Sequence, residues 1–176
     1  TSSGNSDITL DCGQYTLTST SSDSVILILI ESGAFHFIGG TINSGSNTCI
    51  FLYGATFTMS GGTLKGSGRS LVYSQGSNKV TITGGTLEGN IFAAASDTFS
   101  LSGGTYSQIS VAQAAGQRHG NLLAEGYCYY KTADNNPVEK TYDNIYLMNV
   151  TVGKCDHRKD DIIPAFYCQC TADRRE

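Results

Sequence analysis

Long apolar runs are missing from this chain. The longest, "VILILI" at residues 25–30, stands between Asp23 and Glu31, far short of the ~20 residues a membrane helix needs, so no membrane span is expected. Bases are also few: 11 Lys and Arg stand against 15 Asp and Glu, a net charge of −4, which leaves no basic face for a nucleic acid. Tryptophan is absent, proline occurs twice, and only 15% of residues are charged. Disorder is excluded too, because 39% of residues are hydrophobic and they are spread evenly. What remains is 21 glycines and abundant Ser and Thr, the composition of many short strands joined by small polar turns. No signal peptide is visible, and the opening "TSSGNSD" reads as the start of a mature or excised segment.

Charge divides the chain. Residues 1–120 hold six acids and four bases, whereas the last 56 residues hold nine acids and seven bases. The expected organisation is a main domain over residues 1–120, a cap over 121–154 and a Cys/His-containing tail over 155–176.

The main domain repeats itself. Gly-Gly-Thr occurs four times, and aligning on the second Gly places Gly40, Gly62, Gly85 and Gly104 in register at intervals of 22, 23 and 19 residues. A degenerate fifth copy, "ITLDCGQYTLT", puts Gly13 in the same slot. Five residues before the key glycine come Ile8, Phe35, Phe57, Val80 and Phe99; three before it come Leu10, Phe37, Met59, Ile82 and Leu101. Two after it come Tyr15, Ile42, Leu64, Leu87 and Tyr106, while Thr9, His36, Thr58, Thr81 and Ser100 separate the first two sets. Apolar and polar positions therefore alternate with period two, the pattern of a strand buried on one face, and helical spacing is absent.

Repeats of this length cannot bury an apolar face alone and stack on their neighbours. The Gly-Gly supplies corners that need positive φ or close backbone approach, and the following Thr can form a ladder from one repeat to the next. A second strand per repeat is read from "CIFLYG", "SLVYSQG", "IFAAASD" and "VAQAAG". The expected fold is all-β, a right-handed parallel β-helix of about five coils, followed by a β-hairpin cap and the Cys/His tail. A β-sandwich would usually carry Asn-Gly hairpin signals, and the sequence has none.

"ITLDCGQYTLT", the recurring "GGTL" and "LLAEGYCYYKTADNN" after the last repeat resemble repeat modules of large Gram-positive bacterial surface proteins. Those modules are pectate-lyase-like parallel β-helices whose last coil leads through a Leu-Ala-(Asp/Glu)-Gly-Tyr segment, here Leu123 to Tyr127, into a hairpin. The resemblance implies an extracellular or cell-surface location and further domains in the same polypeptide.

In the cap, two strands are expected around a turn at Asn135-Asn136-Pro137, with Tyr127, Tyr129, Tyr142 and Tyr146 clustered there. These tyrosines can stack on sugar rings or close the open end of the solenoid. In the tail, "KCDHRKDDIIPAFYCQC" offers Cys155, His157, Cys168 and Cys170, four N/S donors of the kind a structural zinc takes. The resembled modules often carry a Cys-x-His and Cys-x-x-Cys element here, and the final pair in this chain is one residue tighter. The alternative is disulfides among Cys128, Cys155, Cys168 and Cys170, which an extracellular setting favours. Cys12 and Cys49 are expected to be small apolar core residues.

Catalysis by a parallel β-helix on acidic polysaccharides needs clustered carboxylates or an acid–base pair. Asp11 falls in the slot of Ile38, Ser60, Thr83 and Ser102 and has no stacked carboxylate; Lys65 and Glu88 share a slot; Asp160-Asp161 lies in the tail. His36, in an outward Thr ladder, is a candidate general base or ligand contact with no partner evident in the sequence. The chain is therefore expected to be non-catalytic: a module binding a glycan or host surface in the manner of an adhesin, with a rigid spacer as the second reading and a polysaccharide lyase or hydrolase fragment as the third.

Overall fold

Gly62 shows why the repeat is written as it is. Its φ is +76°, and a Cβ there would come within 2.7 Å of the Gly40 carbonyl oxygen and 2.8 Å of the Phe37 ring. A Cβ on Gly61 would lie 2.6 Å from the Ile38 carbonyl oxygen of the preceding coil. The first glycine thus lets one coil sit on another, and the second turns the corner. The computed structural model describes residues 6–20, 26–68, 70–138 and 146–155, and what these corners join is a parallel β-solenoid.

The strands are β1 (Asp7–Thr18), β2 (Ile26–Ile30), β3 (Ala34–Asn43), β4 (Thr48–Tyr53), β5 (Thr56–Met59), β6 (Thr63–Lys65), β7 (Val72–Gln75), β8 (Lys79–Ile82), β9 (Thr86–Ala93), β10 (Thr98–Leu101), β11 (Thr105–Val111), β12 (Tyr127–Lys131) and β13 (Tyr146–Lys154). Three parallel ladders run along the axis. In the first, β1, β3, β5, β8 and β10 stack Ile8, Phe35, Phe57, Val80 and Phe99 in register. Five rungs enclose about four full turns. In the second, Leu17, Ile42, Leu64, Leu87 and Tyr106 align, with Thr16, Thr41, Thr63, Thr86 and Thr105 as the ladder beside them. The third joins β2, β4, β7, β9 and β11 through Ile28, Ile50, Val72, Ile91 and Ile109. Phe35 and Phe57 stack with centroids 6.0 Å apart, and Phe37, Ile42, Phe57, Met59, Leu64, Ile82 and Leu87 are fully buried.

One expectation fails in the first coil. Tyr15 does not join the inner stack; Leu17 does, and Tyr15 is 72% exposed. The register slips between Leu10 and Asp11 and again between Asp11 and Thr16. The bulge leaves Asp11 opposite Gly39 instead of Ile38. This copy has one glycine where the others have two, so its corner takes more chain.

At the far end the sheet changes direction. β13 pairs antiparallel with β11, and β12 pairs antiparallel with β13. Thr151 prolongs the Thr ladder opposite Thr105. Two short 3-10 helices, Gln113–Ala115 and His119–Leu122, lead into this hairpin. His119 is buried and donates from Nε2 to the Ile109 carbonyl (3.1 Å), while Tyr129, also buried, donates to the His119 carbonyl (3.0 Å). The expected turn is present, but it folds the chain onto the outer side of β12: Pro137 bridges Tyr130, and Val138 donates to the Tyr129 carbonyl.

Buried polar groups collect at a corner of the coils. The Asp97 carboxylate accepts from the Ser74 hydroxyl and from the Asn78 backbone (3.1 Å) and side-chain amide (2.9 Å), and Asn78 in turn accepts from Ala55 N–H (2.9 Å). These bonds replace water at a corner that the stacking of coils has dried.

Candidate ligand-binding face

Strand alternation that buries Ile50, Val72 and Ile91 forces the next residue of each strand outward. In β4, β7 and β9 those residues are Phe51, Tyr73 and Phe92. Phe51 pairs with Tyr73, and Leu29 of β2 pairs with Phe51. Ser110 pairs with Phe92 on one side and Tyr146 on the other. One file of the third ladder therefore reads Leu29, Phe51, Tyr73, Phe92, Ser110, Tyr146, with Ser110 buried between the last two aromatics. At about 4.8 Å per rung it runs about 24 Å. The Phe51 and Tyr73 rings have centroids 5.4 Å apart at 43°. Phe51, Tyr73 and Phe92 are half-buried against one another's coils, whereas Leu29 and Tyr146 are exposed.

Two residues further on, Tyr53 and Gln75 pair with each other and are exposed, and Glu31 is exposed at the same edge. A ridge of aromatic carbon is thus flanked by phenol, amide and carboxylate groups. Apolar surface rimmed by polar groups is the common form of an interaction site. Tyr and Phe offer large rigid faces at low entropic cost. Such a surface can stack on the C–H face of a sugar while the flanking groups bond its hydroxyls.

The file was readable in the sequence. "CIFLYG" and "SLVYSQG" place Phe51 and Tyr73 22 residues apart, the interval between Gly40 and Gly62, and "IFAAASD" adds Phe92. Aligning these segments as the Gly-Gly segments were aligned would have shown three aromatics in one outward slot.

The hairpin tyrosines separate. Tyr129 is buried beneath the cap, Tyr127 is half-buried, Tyr146 is exposed at the end of the aromatic file, and Tyr142 lies outside the described residues. Burial pushes the phenols of Tyr106 and Tyr129 well above their ordinary range. Both are structural; Tyr106 also donates to the Gly103 carbonyl (2.8 Å).

His36 has partners that sequence reasoning missed. Its Nε2 lies 2.7 Å from Asp7 Oδ1 and its Nδ1 2.5 Å from Thr58 Oγ1. With Nε2–H donating to the carboxylate, the neutral ring presents Nδ1 as acceptor for the Thr58 hydroxyl. Thr58 is predictable from the ladder, one coil on; Asp7 becomes a neighbour only because Asp7 pairs with Ala34, two residues before His36. The line spans β1, β3 and β5. Its carboxylate is 74% exposed and its imidazole 29%, so it lies on open sheet surface and ties three rungs together. The pair Lys65–Glu88 (3.0 Å) is half-exposed and stabilises little.

The tail cysteines were expected to bind zinc or to form disulfides. Cys155 takes the second course and is bonded to Cys128. Its sulfur is then no thiolate, and the four-donor zinc set of Cys155, His157, Cys168 and Cys170 loses a member. His157, Cys168 and Cys170 lie outside the described residues, and no cluster of three metal-binding side chains occurs among the described ones. Cys49 is a buried free thiol and Cys12 a half-buried one.

No helix of the described residues is long and apolar enough to cross a membrane. Comparison with protein-family models, with curated proteins and with solved structures gives no match to the chain.

Proposed function

We propose that this chain is a non-catalytic module of an extracellular or cell-surface protein that binds a glycan, on a host surface or elsewhere, along the third ladder of the solenoid. The observation that carries this reading is the file of Leu29, Phe51, Tyr73, Phe92 and Tyr146, flanked by Tyr53 and Gln75. A repeating ligand suits a repeating face: Phe51, Tyr73 and Phe92 stand in one slot on successive rungs, and the buried Ser110 separates them from Tyr146. The extracellular setting is supported by the Cys128–Cys155 disulfide, a bond that persists in oxidising compartments, and by the resemblance to surface-protein repeat modules. Other domains of the same polypeptide then complete the surface protein.

A rigid spacer is the second reading, and one observation favours it. Tyr129 is consumed in closing the solenoid end, so the hairpin contributes stiffness more than contact area.

The test is a glycan array on the folded chain, followed by titration of any hit against Tyr73→Ala and Thr81→Ala. The binding reading expects Tyr73→Ala to weaken affinity about tenfold, ~1.4 kcal/mol, and Thr81→Ala, on the first ladder, to leave it unchanged. A folded chain that binds no glycan leaves the spacer. Hydrolysis of an activated ester, lost in Thr58→Ala, would overturn the non-catalytic reading.

A further inference from the structure

Among the described residues the bases all stand away from the aromatic file. Lys79 is in the first ladder, and Lys65 is in the second, held 3.0 Å from Glu88. Arg118 donates to the carbonyls of Gln113 and Gln117 (both 3.0 Å), and Lys131 and Lys154 belong to the hairpin. The strands β2, β4 and β7 carry no charged residue, and the one in β9 is Glu88, already engaged by Lys65. At the edge of the file stand the exposed carboxylate of Glu31, the phenol of Tyr53 and the amide of Gln75. A polyanion laid here would meet a like charge and find no cation, an arrangement that interfaces select against.

The file is also straight. Ile50 to Tyr53 pair with Val72 to Gln75 without a register shift, and Val72 pairs with Ile91. Phe51, Tyr73 and Phe92 therefore advance one rung at a time, ~4.8 Å each. Tyr53 and Gln75 stand two residues along their strands, ~7 Å to one side of the rings. A pyranose chain whose linkages are all equatorial is a straight ribbon. Its ring faces carry axial hydrogens, its edges carry hydroxyls, and each sugar advances it by close to one rung. Laid along the file, it sets C–H faces on the aromatic rings and hydroxyls beside the phenol and amide, which both donate and accept. An axial linkage turns the chain away from the axis.

We infer that the ligand of this face is an uncharged, linear, equatorially linked glycan lying along the solenoid axis, with one sugar on each aromatic rung. The inference rests on the glycan-binding reading above and narrows it, setting aside the acidic polysaccharides. Three rungs carry rings, Leu29 adds a contact on a fourth, and the buried Ser110 ends the row. At one sugar to a rung, about four sugars fill it.

Calorimetric titration of the intact chain tests this with matched oligosaccharides. The probes are β-linked (1→4) oligomers of glucose and of N-acetylglucosamine, the α-linked glucose oligomer, and the β-linked glucuronate oligomer, which differs from the first in its carboxylates. At least one neutral β-linked hexamer should bind about tenfold tighter than its dimer and within about threefold of its tetramer. Its affinity should not change between ~50 and ~500 mM NaCl, because no ion pair is screened. The glucuronate and α-linked hexamers should bind at least about tenfold more weakly. Gln75→Ala, at an exposed position, should weaken the neutral hexamer about threefold with the melting temperature unchanged. Tighter binding of the glucuronate, or affinity that falls with salt, would overturn the uncharged ligand while leaving a glycan-binding face. Equal binding of the α-linked hexamer would overturn the straight ribbon. Affinity untouched by both Gln75→Ala and Tyr73→Ala would place the sugar elsewhere and overturn the inference. A folded chain that binds no carbohydrate removes the glycan reading itself, and this inference with it.

Discussion

Ile82 and Thr81 are neighbours in β8 with opposite duties. Ile82 is fully buried between Met59 and Leu101, and Thr81 stands outward between Thr58 and Ser100. Ile82→Ala should cost about 2–5 kcal/mol, since it removes buried methylenes and leaves a gap between coils, and Thr81→Ala should cost less than about 0.5 kcal/mol; urea midpoints decide. Equal losses would mean the faces are reversed. Cys49 supplies a second residue-scale prediction. Burial pushes its thiol up from 9.0 to about 12, partly offset by a hydrogen bond with Ser44. A raised folded-state value contributes stability fully present below pH 9 and lost as pH rises toward 12, because the unfolded chain releases a proton that the folded one keeps. Between pH 9 and 10 this thiol should lower stability by up to about 1.4 kcal/mol. Cys49→Ala should flatten that limb of the melting temperature against pH, and an unchanged limb would refute the assignment to Cys49.

The hairpin is the element on which the solenoid ends, and its disulfide is placed to matter. Cys128 lies at the start of β12 and Cys155 just past the end of β13, 27 residues on. A closed loop of that length stabilises by about 3–4 kcal/mol in the chain-entropy account. Reductant should therefore free the cap, unpairing the strands at the already exposed Lys131 and Lys154 so that trypsin cleaves there, while the coils, held by their own neighbours, stay intact. Release by chelator instead would mean that a metal, not the disulfide, is the staple. The elements differ in how far the sequence disclosed them. Period-two alternation and Gly-Gly corners were legible from β3 onward because every copy obeys the same sterics, as Gly61 and Gly62 show. β1 was not, since its single glycine marks a departure from the repeat but not the length of the bulge between Asp11 and Thr16. Cys155 was legible as a residue that must be tied down, but its partner depends on the strand pairing that sets Cys128 opposite Gly153. The aromatic file was in plain view and needed only the second strands to be aligned as the first were.

As a whole molecule the chain is a short one-dimensional stack, and its stability should vary along the axis. Each rung is held by the rungs on either side. Among the described residues β5 and β8 have parallel neighbours on both sides, β11 has β9 and the stapled hairpin, and β1 and β2 have one neighbour each. Burial follows the same order: the inward residues of β5 and β8 are buried, whereas those of β1 are half-exposed or exposed. Amide exchange reads this directly, since local opening is easiest where fewest contacts are broken. Amides of β1 and β2 should exchange first, those of β11 to β13 next, and those of β5 and β8 last. Reductant should move the hairpin toward the fast end without altering β5 or β8. A uniform exchange rate along the chain would contradict the stack of separable rungs.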